Sequence, residues 1–193
     1  MRGLLIAFEG LDQSGKQTQT ELLRDRLIDG GRAVRLFSFP DYGTVMGAEI
    51  GRALRGECSY EPNALQLLYV ANRYEWQQEM TDAKRTGTIL LCDRYLASSV
   101  AYGEAQGLDS AWLVEIQKHL LQPDATIFLD ITPDESVRRK TAGRDKYERD
   151  LALLARVRES YLRQATSGWV RIDADQDRDI VAAEVFAAAA KLL

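Results

Sequence analysis

Glu9-Gly10-Leu11-Asp12-Gln13-Ser14-Gly15-Lys16-Gln17-Thr18 is the stretch on which the chain's organisation turns. A short apolar run, Leu4-Leu5-Ile6-Ala7-Phe8, precedes it, and the helical pattern Leu22, Leu23, Leu27, Ile28 follows. Strand, glycine-framed loop, lysine and helix form the arrangement of a phosphate-binding loop. Gly10 and Gly15 let the backbone turn its N–H groups onto phosphate oxygens. Lys16 adds a point charge, and the helix N-terminus adds its dipole. One position departs from the pattern. The residue after the lysine should carry a hydroxyl for Mg²⁺, and it is Gln17. Thr18 does not repair this, because one helical step turns its side chain about 100° away. We therefore expect Gly10–Lys16 to bind donor phosphates while other groups hold the metal.

The 193 residues suit one domain, 1–193, with a small lid insertion. A formal net charge of −4 and a pI near 5.2 disfavour a duplex nucleic-acid binder. A small anionic ligand in a local basic pocket remains compatible. Two cysteines, Cys58 and Cys92, give no disulfide framework and fit a reducing, cytoplasmic setting. No apolar run is long enough for a membrane span.

Strand patterns occupy about 3–9, 33–39, 88–92, 126–131 and 169–172. Helical patterns fill 15–29, a short stretch to Leu54, 62 to about 87, 98–105, 110–121, a segment from Thr132, 147–165 and 180–192. Pro62 suits a first helical position, Asp109 an N-cap, and Thr132-Pro133-Asp134-Glu135 a capping box. The alternation predicts an α/β fold: a parallel sheet of five strands with helices on both faces. Its site belongs beyond the carboxyl ends of the strands.

Asp93 closes the third strand, where an acid can organise Mg²⁺ and its waters or cap a turn. Arg94 is next to it and can hold a phosphate bidentately or pair with Asp93. Tyr69 and Arg73, at i and i+4 on the long helix, suit a nucleobase, and equally suit packing with a surface arginine. Phe39 and Tyr42 can wall the same cleft or its rim. The charged segment Arg138–Arg149 is a solvated face or a lid at about 138–149 whose arginines, Arg139 or Arg144, arrive on the transferring phosphoryl group. The sole histidine, His119, reads as structural. No metal-ligand spacing and no nucleophile triad is present. A phosphate acceptor needs no general base, because its oxygen is already ionised near pH 7.

With these residues in place the chain resembles the thymidylate kinase family along essentially its full length. The resemblance rests on Phe8–Asp12 with Gly15-Lys16, Phe39-Pro40 with Tyr42-Gly43, Leu68–Arg73 and Asp93–Tyr102. Leu129–Ile131 with Pro133 and Arg138, and Ile172–Ala174, add to it. It implies the P-loop nucleoside monophosphate kinase fold, transfer of phosphate from ATP to dTMP with Mg²⁺, a mobile lid and a homodimer. Under it, ATP meets Gly10, Leu11, Asp12, Gln13, Ser14, Gly15, Lys16, Gln17 and Thr18, with Arg138 and Asp173 flanking the adenine. Tyr69 stacks on thymine, Arg73 contacts a thymine carbonyl, and Arg94 holds the dTMP phosphate. Asp12, Phe39, Tyr42, Ser98, Ser99 and Tyr102 complete the dTMP site, with Tyr102 able to crowd out a ribose 2′-hydroxyl. Catalysis falls to Lys16, Asp12, Arg94 and a lid arginine, Arg144 or Arg139. The metal falls to Asp12 and Asp93.

The chain departs from relatives in several places. Gln13 stands where many carry an arginine, which moves the catalytic arginine to the lid. Tyr42 stands where some grip the acceptor phosphate with an arginine, which leaves more of that work to Arg94. Tyr69 replaces a phenylalanine. Two other readings compete: a deoxynucleoside kinase, for which Asp41 is the candidate base, and a slowly hydrolysing nucleotide-binding regulator.

Overall fold

β1 (Leu5–Glu9) is buried at every residue, as an unbroken apolar strand covered on both faces must be. We describe it from a computed structural model of the chain, whose described residues are 3–139, 150–165 and 168–193. The other strands are β2 (Val34–Ser38), β3 (Ile89–Asp93), β4 (Ala125–Asp130) and β5 (Trp169–Asp173). They form one sheet of order β2-β3-β1-β4-β5. Every pairing is parallel. β2 and β5 lie at the edges and are only partly buried, whereas β4 is buried throughout.

The helices are α1 (Lys16–Asp29), α2 (Val45–Leu54), α3 (Pro62–Arg85), α4 (Leu96–Ala105), α5 (Ser110–Glu115), α6 (Pro133–Arg139), α7 (Leu151–Gln164) and α8 (Arg178–Ala190). Side chains alternate across each strand. Ile6, Phe8, Ile89 and Leu91 join Leu23 and Leu27 of α1 and Val181 and Val185 of α8 in one core. Leu5, Ala7, Leu90 and Cys92 join Met80 of α3 in the other. Both faces are thus covered. The register sets Asp93 opposite both Phe8 and Ser38, so β1, β2 and β3 end close together. The site is built on that shared edge.

Several elements differ from the sequence pattern. The helix expected over 110–121 stops at Glu115. The Gln117 side chain donates to Leu113 O at 2.8 Å, and the chain continues in turns such as Leu120 N to Gln117 O. Gln77 of α3 then supplies the missing partners, donating to His119 O and accepting from Leu121 N, both at 3.0 Å. His119 itself is exposed, not packed in an apolar face. α7 begins at Leu151, capped by Asp150, whose carboxylate accepts from Leu153 N at 2.9 Å. α4 starts at Leu96, earlier than expected, and α8 at Arg178 behind an Asp177 cap. Thr132 Oγ1 does accept from Glu135 N. Glu135 turns instead to Arg138 and Arg139, so only half of the capping box forms.

Gly10 shows why the loop needs glycine. Its φ is +146°, and a Cβ there would lie 2.4 Å from Leu129 O. Both the torsion and the main chain of β4 forbid a side chain. Gly10→Ala should therefore lose about 2 kcal/mol or more of stability, read as a lower urea midpoint. An unchanged midpoint would show that β1 and β4 can part at no cost.

Candidate active site

The phosphate loop leaves β1 at Gly10 and enters α1 at Gly15, the N-cap residue, with φ +89°. Gln13 also has positive φ, +63°. Ser14 N donates to Leu11 O at 3.3 Å, and Ser14 Oγ is buried with no hydrogen-bond partner among the described residues. Lys16 is buried, and its Nζ donates to Gly10 O at 3.2 Å and Leu11 O at 2.7 Å. Burial, then the charge of Arg94, lowers the Lys16 ammonium to about 8 against the opposing carboxylates of Asp93, Asp12 and Glu9. Gln17 and Thr18 are exposed, and the Gln17 amide donates to Glu21 at 3.1 Å, on the outer side of α1.

Beside the loop lies a pocket. Asp12, Phe39, Tyr42, Tyr69, Arg73, Arg94, Ser98, Ser99 and Tyr102 all line it. The residues expected at the acceptor nucleotide, scattered over ninety positions of chain, are therefore brought together. The pocket also uses Pro40, Leu54, Gln66 and Gln106, of which the sequence motifs contain only the proline. Gln66 had a readable signal, since it sits one turn before Tyr69 on the same helix.

Arg94 joins the two sites. It has φ +61° in the turn after β3. Its Nη1 donates to Gly10 O at 3.1 Å, and its Nη2 to Asp12 Oδ1 at 2.6 Å. Tyr102 OH donates to the other Asp12 oxygen at 3.0 Å. Burial would raise the Asp12 carboxyl, but the charges of Arg94 and Lys16 and these hydrogen bonds outweigh it and hold it at about 2. Burial also pushes the Tyr102 hydroxyl well up, so it stays a neutral donor.

A buried carboxylate from β1 positions Arg94. Glu9 is fully buried. It accepts from Tyr95 N at 2.9 Å, Ser98 N at 3.3 Å, Ser98 Oγ at 2.6 Å and Tyr161 OH at 3.1 Å. It thereby caps α4 from across the sheet. Tyr161 OH also accepts from Arg94 Nη1 at 3.3 Å. The Ser98 hydroxyl is accordingly turned into this network although its residue lines the pocket.

Arg73 is 3% exposed and has no carboxylate partner among the described residues. Its Nη1 donates to Ser99 Oγ at 2.8 Å and Tyr69 O at 3.3 Å, and its Nη2 to Tyr95 O at 2.6 Å. Asn72, fully buried, holds the loop that carries Tyr42. It accepts from Asp41 N at 2.8 Å and donates to Thr44 Oγ1 at 2.8 Å. Asp41 does not line the pocket, and its Oδ1 accepts from Gly43 N at 2.9 Å.

On the other side of the loop, Ser136 Oγ donates to Asp12 O at 2.8 Å and ties α6 to it. Arg139 donates to Gln13 O at 3.3 Å, Ala174 O at 2.9 Å and Glu135 at 2.6 Å. Arg138 is exposed and paired with Glu135. Asp173 ends β5, exposed, with Oδ1 accepting from Asp175 N at 3.0 Å. Asp93 lies partly exposed at the end of β3, and its carboxylate accepts no hydrogen bond among the described residues. Arg144 and most of the expected lid lie outside the described residues.

A parallel sheet with a phosphate loop at its centre, and an arginine shared between that loop and an aromatic-walled pocket, define a phosphate-loop nucleotide kinase. The thymidylate kinase family model matches residues 8–185. A thymidylate kinase of Arabidopsis thaliana is 38% identical over 90% of this chain, which spans 65% of that relative's length. One from Caenorhabditis elegans is 34% identical over 96% of this chain and 89% of its own. The solved thymidylate kinase of Candida albicans superposes with a TM-score of 0.88, 30% identity, and coverage of 99% of this chain and 92% of its own. The chain belongs to the thymidylate kinase family, whose reaction is the ATP-dependent phosphorylation of dTMP.

Tyr161→Phe should cost about 1 kcal/mol of stability, because it leaves the buried Glu9 carboxylate one donor short and takes an acceptor from Arg94. Urea denaturation measures this, and a variant as stable as the parent would show that the hydroxyl contributes nothing to the network.

Proposed function

We propose that the aromatic-walled pocket takes dTMP and that the phosphate loop takes the phosphates of ATP. The observation that carries this is Arg94, whose one guanidinium touches both the loop at Gly10 O and the pocket at Asp12. An incoming acceptor phosphate offers it a second anion, bidentate in reach and already ionised. Tyr69 would stack on the base, Arg73 would donate to a ring carbonyl, and Tyr102 would close the space beside the sugar. Lys16 would leave the carbonyls of Gly10 and Leu11 for the donor phosphates. Arg139, beside Gln13 O, would supply positive charge from the α6 side, with Arg144 the alternative from the lid at about 138–149. Arg138 and Asp173 would flank the donor base.

The residues fit Mg²⁺. Asp93 offers an uncommitted carboxylate of the hard oxygen type the ion prefers, and Mg²⁺ completes its shell with water and substrate phosphates. Asp12 is engaged by Arg94 and Tyr102, so it would act through that pair. Gln17 faces outward and stands apart from this set. The ion would neutralise charge on the transferring phosphoryl group. We also propose a homodimer, supported by exposed Leu67 and Tyr74 two turns apart on α3, and a reducing cytoplasmic setting, supported by two free thiols. No described helix is long and apolar enough to cross a membrane.

A thymidine kinase reading needs a base near a neutral hydroxyl, and Asp41 is spent on its own turn. With ATP, dTMP should release ADP rapidly and thymidine should not, and the reverse result would sink the assignment. Arg94→Ala should raise the KM for dTMP by about tenfold or more, and an unchanged KM would detach Arg94 from the acceptor phosphate.

Lys16 makes binding pH-dependent. Its free-state value of about 8 lies below the ordinary 10.5, and donor phosphates raise it again. Near pH 9 the free ammonium is largely deprotonated, so ATP binding should take up close to one proton, an uptake that fades below about pH 7. Calorimetry in buffers of differing ionisation enthalpy reads the number. Equal enthalpies at pH 9 would overturn this proton coupling between Lys16 and the donor phosphates.

A further inference from the structure

Two residues that line the acceptor pocket each bury a polar atom with no partner among the described residues. Gln66 is 1% exposed, lines the pocket, and its Oε1 makes no hydrogen bond. Arg73 lines the same pocket, and its Nε–H makes none either, although both of its terminal nitrogens are engaged. The first is an acceptor and the second a donor. Native proteins rarely leave such groups unpaired, because each costs its full desolvation. In a pocket, the group that pairs them can come from the ligand. The two stand on one helix, seven residues apart, with Tyr69, the residue expected to stack on the base, between them in the chain.

We infer that Gln66 is a specificity-determining residue that accepts the N3–H of the bound base while Arg73 donates to the neighbouring C4 carbonyl. An acceptor beside a donor matches the donor and acceptor on the imide edge of a 2,4-dioxopyrimidine. A 4-aminopyrimidine presents the reverse pair, with a bare N3 lone pair facing Oε1 and an amino group facing Arg73. The pocket rejects it by like-facing-like contacts as well as by lost bonds. Gln66 therefore reads the base, and the arginine does not do so alone. This assignment rests on the dTMP pocket proposed above.

The test compares the full chain with Gln66→Met, which keeps length and removes the acceptor, and with Gln66→Glu, which keeps an acceptor. For each, dTMP and 5-methyl-dCMP are titrated calorimetrically, and the thermal midpoint of the free protein is recorded. Gln66→Met should weaken dTMP binding about tenfold, narrow the preference for dTMP over 5-methyl-dCMP by a similar factor, and leave the free protein at least as stable. Gln66→Glu should recover the preference over the methionine variant. A Gln66→Met variant with unchanged dTMP affinity and unchanged preference overturns the assignment. So does a lower thermal midpoint with the preference intact, since that is the mark of a structural glutamine. If the parent chain itself fails to bind dTMP, the pocket assignment falls, which separates that failure from failure of the Gln66 role.

Discussion

The buried carboxylate of Glu9 is the constraint around which the site is arranged. It is the last residue of β1, so the sheet fixes its position. From there it reaches the first turn of α4 and the hydroxyl of Tyr161 on α7. A carboxylate so buried must have its lone pairs met, and four protein donors meet them. Three elements distant in sequence are thereby locked in one geometry. Arg94 N donates to Phe8 O at 2.9 Å and Tyr95 N to Glu9, so the turn between β3 and α4 is held on both sides of Arg94, in a left-handed conformation that a free chain would avoid.

Arg94 in turn organises the charges. In the free protein it is paired with Asp12 and bonded to Gly10 O, Ser98 Oγ, Tyr161 OH and Tyr102 OH. The cation is oriented in advance, so little ordering is left for the moment when a phosphate arrives. The cost appears at Lys16. It is buried near a like charge, which lowers its affinity for its proton and leaves it to its own loop carbonyls. Two cations held close without substrate are tolerated because Asp12, Asp93 and Glu9 surround them, and anionic phosphates would relieve the remaining repulsion.

Much of this was legible in the chain. The apolar runs of β1, β3 and β4 are long enough to name a central sheet, and Gly10, Gly15 and Lys16 carry their own geometry. Asp93 and Arg94 stand at a strand end, which is where a parallel sheet exposes its chemistry. Other features were not legible. Glu9 reads locally as a polar residue ending a strand, and its burial depends on Tyr161, 152 residues away. Gln66 reads as one polar position on a helix, and only the pocket gives its orphaned oxygen meaning. The segment after Glu115 has helical periodicity, yet Gln117 and Gln77 take up its main-chain groups. Periodicity reports which face is apolar and does not report side chains that compete for the backbone.

By itself the sequence determined the alternation of strands and helices, the phosphate loop and the residue types available for nucleotide chemistry. These follow from local physics: side-chain period, glycine torsions, proline and cap preferences. Tertiary structure alone decided which charges touch. It paired Arg94 with Asp12, enclosed Glu9, turned Gln17 outward, spent Asp41 on its own turn and left Gln66 and Arg73 lining one pocket with an acceptor and a donor unmet by the described residues. Such outcomes depend on distances between segments far apart in the chain. No local pattern encodes them, because each is set by how the two faces of the sheet are covered and where the strand ends meet.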